Sequence, residues 1–309
     1  MNVEKGKETK GGTESNTKVI ILYTAHTSAF LKQFKEFIDK NQPNLIILEE
    51  DKKATFQQML EGKISVKQYM QGYIYAMPQF TKKRYEFLVK LHKEKPEIKI
   101  EQFEPSIEME VRNVIRNQIN MDIALNIAKG DFEGAVRETI NFAKSESDWL
   151  KVEEEMRAKG IAEKIRKGEW KGCILVEAGA THTRVGHFLK KYLNDVDVSS
   201  SHLFKETIQE ALKDRYGSQL HMLYPPPQEL KRLYLSERKV SEEREKLLGA
   251  RALILSMITS RNEEELGSVD IIKKIEMVNK LSYEECRKLF NEIVSKERVP
   301  AEFKQFKPL

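Results

Sequence analysis

Four short apolar runs constrain the chain most: Lys18 to Thr24 (KVIILYT), Asn44 to Glu49 (NLIILE), Ile98 to Phe103 (IKIEQF) and Gly172 to Gly179 (GCILVEAG). Runs this short and this apolar have strand character. Helical patterns fill the gaps. After the first run, Phe30, Leu31, Phe34, Phe37 and Ile38 form one apolar stripe at helical spacing, and Pro43 ends it; after the fourth, Val185, Phe188, Leu189, Tyr192 and Leu193 repeat the spacing. Alternating strand and helix need crossover connections between parallel neighbours, so the expected class is α/β with a mixed, largely parallel central sheet. Residues 195–201 (DVDVSSS) read as a fifth strand. The stretches 52–95 and 105–168 are long, charged and helix-periodic, so several helical inserts should roof one end of the sheet.

Beyond residue 222 the pattern changes. Tyr224-Pro225-Pro226-Pro227 reads as a stiff turn, because proline fixes φ and cannot continue a preceding helix. A Ser282-x-x-Glu285 capping box then precedes Tyr283, Cys286, Leu289, Phe290, Ile293 and Val294 at helical spacing. The organisation expected is a flexible tail over 1–17, an α/β domain over 18–222 and a helical C-terminal appendage over 223–309. Such stripes need a covering surface. Either the sheet domain or a second copy would supply it, the latter as a homodimer through the C-terminal helices.

Charge narrows the function classes. The 53 Lys and Arg against 48 Asp and Glu give +5, interleaved along the chain, whereas a nucleic-acid binder clusters its basic residues. Nucleic acid is therefore not an expected partner. No apolar run approaches the roughly 20 residues of a membrane helix, and the polar N-terminus lacks the apolar core of a secretory signal, so the expectation is a cytoplasmic protein without membrane contact. Cys173 and Cys286 are too few and too distant in sequence for a disulfide framework or a cysteine zinc site.

Parallel sheets bind ligands outside the C-terminal ends of their strands. There the first run exits into Tyr23-Thr24-Ala25-His26-Thr27-Ser28, the second into Glu49-Glu50-Asp51, and the fourth into Gly179-Ala180-Thr181-His182-Thr183. Two imidazoles and a carboxylate with a position left open is the composition of a hydrolytic metal site, where the ion lowers the pKa of bound water. His26, Glu49 and His182 are thus the candidate ligands of a divalent metal. Glu49 is also a candidate general base, and Arg157 a candidate to steady an oxyanion or a substrate carboxylate. Gly179 would let a ligand approach the backbone closely, with Tyr23 beside it as the other candidate cofactor contact. The hydroxyls of Thr24, Thr27, Ser28 and Thr183 stand alongside. Glu104 could join the same edge; His187 could reach it only from its helix, and His92, His202 and His221 read as structural. Glu177 interrupts an apolar run and needs a cationic partner if buried; Arg157 and Arg184 are the candidates.

The same residues carry a family resemblance. Tyr23-Thr24-Ala25-His26-Thr27-Ser28 resembles the opening Gly-Thr-x-His-x-Ser motif of the TraB/Tiki group, and Gly179-Ala180-Thr181-His182 resembles its second Gly-x-x-His motif. Asn44 to Glu49 is similar to the family's apolar strand ending in Glu, and Arg157 with Ile161 to Ile165 to the Arg-x-x-x-Met/Leu-Ala segment. The ordered set spans roughly residues 18 to 195. The chain departs from the pattern at Tyr23, where the family has Gly, and has no counterpart of the Tiki membrane anchor. The wider superfamily includes erythromycin esterase-like and ChaN-like proteins. The resemblance implies an α/β sheet with helical inserts and a site built from the two His motifs. The activity implied is metal-dependent (Mn²⁺, Co²⁺ or Zn²⁺) proteolysis in the Tiki manner, or esterase chemistry in which His and Glu activate water. The alternative implied is a non-enzymatic haem-, metal- or ligand-binding protein of the ChaN kind. A peptide or small-molecule substrate is the partner expected on the enzymatic reading.

Overall fold

The computed structural model describes residues 17–24, 30–71, 78–105, 109–179, 182, 184–203, 225–236, 239–259 and 269–296. The N-terminal tail, His26, Thr27, Ser28, Thr183, His221 and Tyr224 therefore lie outside the described residues, apart from Thr17 at the end of the tail.

Five strands form one all-parallel sheet in the order β3-β2-β4-β1-β5. They are β1 (Lys18–Thr24), β2 (Leu45–Leu48), β3 (Lys99–Gln102), β4 (Cys173–Gly179) and β5 (Asp197–His202). The helices that open at Phe30 and Val66 show how local sequence sets local structure. In α1 (Phe30–Asn41) the buried residues are Phe30, Phe34 and Ile38; past its end Gln42 takes a left-handed φ of 43° and Pro43 forbids another turn. The insert between β2 and β3 holds α2 (Phe56–Leu60), α3 (Val66–Met70), which begins with a Ser65/Gln68 capping box, and α4 (Pro78–Glu94). The insert between β3 and β4 is an antiparallel pair, α5 (Met109–Lys129) and α6 (Phe132–Arg166), and α7 (Val185–Tyr192) connects β4 to β5.

Because strand side chains alternate, β1, β2 and β4 each feed two cores. Ile20, Leu22, Ile46, Leu48 and Leu175 face α1 and the α2–α4 insert; Val19, Ile21, Tyr23, Ile47, Ile174 and Val176 face Ala158, Ile161 and Ala162 of α6 and Val185 and Leu189 of α7. A third core lies away from the sheet. Its helices are α8 (Pro226–Leu235), α9 (Glu242–Ile258), α10 (Val269–Lys280) and α11 (Tyr283–Lys296), and it forms on Phe132, Val136, Ile140 and Ala143 of α6. Gly249 permits the closest approach: a Cβ there would sit 2.6 Å from Ile140 Cγ1.

Two expectations need adjustment. Pro226 and Pro227 do not make a turn but fill the first turn of α8, where a missing N–H costs nothing. Among the described residues, the C-terminal helices pack on the first half of α6 rather than on the sheet, so the third core draws on residues from both sides of residue 222. The Ser282/Glu285 capping box forms as expected, with Ser282 N donating to Glu285 Oε2 at 2.7 Å and Glu285 N to Ser282 Oγ at 3.3 Å. Among the described residues no helix is long and apolar enough to cross a membrane.

Candidate active site at the strand ends

β2 and β4 are neighbours in parallel register, so the residues that follow them emerge side by side. Glu49 follows β2 and His182 comes three residues after the end of β4, its amide donating to the Gly179 carbonyl at 2.9 Å. The two side chains meet: His182 Nε2 lies 2.9 Å from Glu49 Oε1. The other Glu49 oxygen accepts from the Gly179 amide at 2.5 Å and from Arg157 Nη1 at 3.3 Å. Arg157 comes from the middle of α6, is 1% exposed, and also donates from Nη2 to the Glu177 carbonyl oxygen at 2.7 Å. Its Nε, which makes no hydrogen bond, faces Glu104 Oε2 at 3.4 Å, and that oxygen too lacks a hydrogen-bond partner.

One helical turn before Arg157, Glu154 reaches the same place. It is fully buried; Oε2 accepts from the Arg184 amide at 3.0 Å, and Oε1 lies 3.5 Å from His182 Nδ1 with no hydrogen-bond partner. His182 therefore sits between two carboxylates. Burial alone would lower its pKa, but Glu49 and Glu154 outweigh burial and raise it to about 9. Glu49 moves the opposite way: against burial, His182, Arg157 and the Gly179 amide hold it far below the ordinary carboxylate range. Glu104 and Glu154 are pushed up to about 7 by burial, which Arg157 and His182 only partly offset.

Of the residues expected from sequence, Glu49, Arg157, Gly179 and His182 come together, and Glu104 joins them. His26 lies outside the described residues. Tyr23 is close but committed to packing: its ring stacks on His202 at 4.5 Å, and its hydroxyl accepts from the Gly186 amide. Burial pushes that phenol up to about 12. It lies in the sheet core, so a role for Tyr23 in contacting a cofactor draws no support from its surroundings. His187 is exposed on α7, away from the cluster. Thr24 is buried, with its hydroxyl donating to the Ala178 carbonyl at 3.4 Å.

Glu177 pairs with neither Arg157 nor Arg184 but with Arg84 of α4. Arg84 also donates to Glu50 at 2.6 Å, while Gln102 donates to Glu50 Oε2 at 2.6 Å and to the Tyr69 hydroxyl at 3.0 Å. This second polar cluster lies across the sheet from the first. The sequence held no local signal for it, since Arg84 lies within a long charged helix and only the fold carries it to β4. Glu154 escaped for a similar reason: inside Glu153-Glu154-Glu155 it reads as solvated helix surface.

Among the described residues, no group of three or more His, Cys, Asp and Glu is placed to hold a metal ion. Glu49 and His182 have the donor chemistry, but they face each other as an ion pair, and a metal would have to displace the proton on Nε2.

No family model and no solved structure matches the chain. It is similar to a protein of Archaeoglobus fulgidus described as uncharacterised, with 28% identity over 268 residues that cover 80% of this chain and 89% of that one.

Proposed function

We propose that the protein hydrolyses a peptide or ester bond by acid–base catalysis at the strand-end cluster. The observation that carries this reading is the contact of Glu49 with His182, 2.9 Å apart, backed by a buried arginine at the C-terminal edge of a parallel sheet. The protonation states suit such chemistry. His182 is an imidazolium at neutral pH and can give its Nε2 proton to a leaving group. Glu104, at about 7, is half ionised there and can take a proton from water. Water oxygen bonds to the carbonyl carbon as its proton passes to Glu104, the bond to the leaving group breaks as that group receives the His182 proton, and solvent exchange resets both residues. Glu49 holds the imidazolium in place, and Arg157, too buried to reach a substrate, holds Glu49.

A Mn²⁺, Co²⁺ or Zn²⁺ ion on His26, Glu49 and His182 belongs to the same proposal as a variant to be tested; if bound, it would supply the activated water. The test is a peptidase and esterase screen with and without added metal, beside metal analysis of the purified protein. Glu104→Gln and Glu49→Gln should each lower hydrolysis by about 10²–10⁴-fold while the protein stays folded. Full activity in both variants, or no turnover of any peptide or ester, removes the hydrolase reading. A haem spectrum in the purified protein would favour a ligand-binding role instead.

A further inference from the structure

The carboxyl of Glu154 is fully buried, no Lys or Arg side chain among the described residues lies within ion-pair distance of it, and Oε1 has no hydrogen-bond partner. Such a group is expensive unless something nearby requires it. Three observations point to the requirement. Its free oxygen, Oε1, lies 3.5 Å from His182 Nδ1, on the opposite side of the ring from Glu49. Its other oxygen is fixed by the Arg184 amide, at the start of the helix that follows the His182 turn. Finally, Glu154 and Arg157 are three apart on one face of α6, so a single helix face reaches both members of the pair, Arg157 holding Glu49 and Glu154 backing His182.

We propose that Glu154 is a positioning residue: it holds the His182 ring through Nδ1 and thereby aims Nε2 at Glu49 and at the substrate. The arrangement Glu154···His182···Glu49 runs from the buried interior outward, since Glu154 is wholly enclosed while the Glu49 side chain is 18% exposed. The buried carboxylate thus fixes ring orientation and the proton on Nδ1, leaving the outer nitrogen to do chemistry, as the orienting acid of a catalytic triad does. The 3.5 Å separation is longer than an ordinary hydrogen bond, and the positioning role requires it to close in the substrate-free protein in solution. This inference deepens the hydrolase reading, but its primary test needs no activity.

The test is ¹⁵N-edited NMR of the full chain labelled at its six histidines, with the His182 signals assigned by their loss in His182→Gln. In the wild type at pH 7, His182 should show a proton on Nδ1 that is downfield of the other ring protons and slow to exchange. Its absence overturns the proposal without any variant having to fold. In Glu154→Gln that proton should move upfield and exchange faster, whereas Glu153→Gln, one residue away and paired with Arg112, should leave it unchanged. An unchanged proton in Glu154→Gln, or equal changes in both variants, also overturns it. Once a substrate is found, Glu154→Gln should lower kcat by about 10–100-fold with KM nearly constant. NMR signals as expected without turnover of any substrate would leave the positioning role standing and remove the hydrolase; turnover with no Nδ1 proton would do the reverse.

Discussion

Glu49 and Glu50 are adjacent in the chain, yet they enter two polar clusters on opposite faces of the sheet, and the clusters are built differently. On the α4 side, Glu50 and Glu177 share Arg84, Gln102 ties Glu50 to Tyr69, and among these side chains only Arg84 Nε lacks a partner. On the α6 side, one Arg157 nitrogen, one Glu104 oxygen and one Glu154 oxygen lie within ion-pair distance of an opposite charge but make no hydrogen bond, and burial raises two carboxyls to about 7. The first arrangement satisfies its charges internally; the second leaves capacity for something to bind. Unsatisfied buried groups with perturbed pKa values are where chemistry is sought, and a satisfied network of the same composition is where stability is sought.

That contrast breaks first at Arg84. Arg84→Met would strand two carboxylates in the interior, one of them 3% exposed, and should destabilise the fold by about 3–5 kcal/mol in a denaturant titration. A loss below about 1 kcal/mol would mean that the cluster does not hold the sheet.

The next largest effect separates the clusters by pH. The folded pKa of His182 is raised from 6.5 to about 9, so its stabilisation is complete below pH 6.5 and lost as pH rises through 9. The loss should amount to at most about 3 kcal/mol. Arg84 itself adds no slope in that window, because Glu177 and Glu50 outweigh the burial that would lower its pKa; burial raises the Glu177 carboxyl, so any slope from the α4 cluster belongs to that group. Glu49→Gln removes the main charge that raises His182 and should shift the fall in stability towards 6.5. Thermal melts across pH 6–10 decide the matter, and identical profiles for the wild type and the variant would show that His182 does not titrate as described.

Arg157→Met should be milder than Arg84→Met, at about 1–2 kcal/mol, because Glu49 keeps His182 and the Gly179 amide and lies nearer solvent. Its larger consequence would be loss of hydrolysis. A stability cost equal to that of Arg84→Met would erase the distinction between the two clusters.

The smallest change is Gly179→Ala. A Cβ there would meet His182 Cδ2 at 3.4 Å and Glu49 Oε1 at 3.6 Å, ordinary contact distances, so stability should change by less than about 1 kcal/mol. Any effect should appear instead in substrate affinity, measured as KM, if ligands approach the backbone at that point.

β1, β2 and β4 were legible because strands buried on both faces are mostly apolar, and each observed strand, including the more polar β3 and β5, lies within a run read from the sequence, β5 excepted by one residue at its end. Glu49, Arg157 and His182 were legible as strand-end or motif residues. Arg84 and Glu154 were not, because a charged residue in a charged helix gives the same sequence signal whether it faces water or a buried partner. The destination of the C-terminal helices was equally hidden: an apolar stripe such as Cys286 and Phe290 announces that it must be covered, but not by what, and the answer was the first half of α6.

The strand order has a consequence for synthesis. β4 lies between β1 and β2, so the sheet cannot close until the fourth strand exists, and β1 pairs only with β4 and β5. As the chain emerges from the ribosome, the largely apolar β1 must wait without a sheet partner while roughly 150 further residues are made, on the order of 10–30 s at ordinary elongation rates. During that interval the nascent protein exposes an adhesive segment that its finished form hides, a natural client for a chaperone. The Glu49–His182 contact is assembled by the same closing event, so no fragment ending before β4 can contain the site.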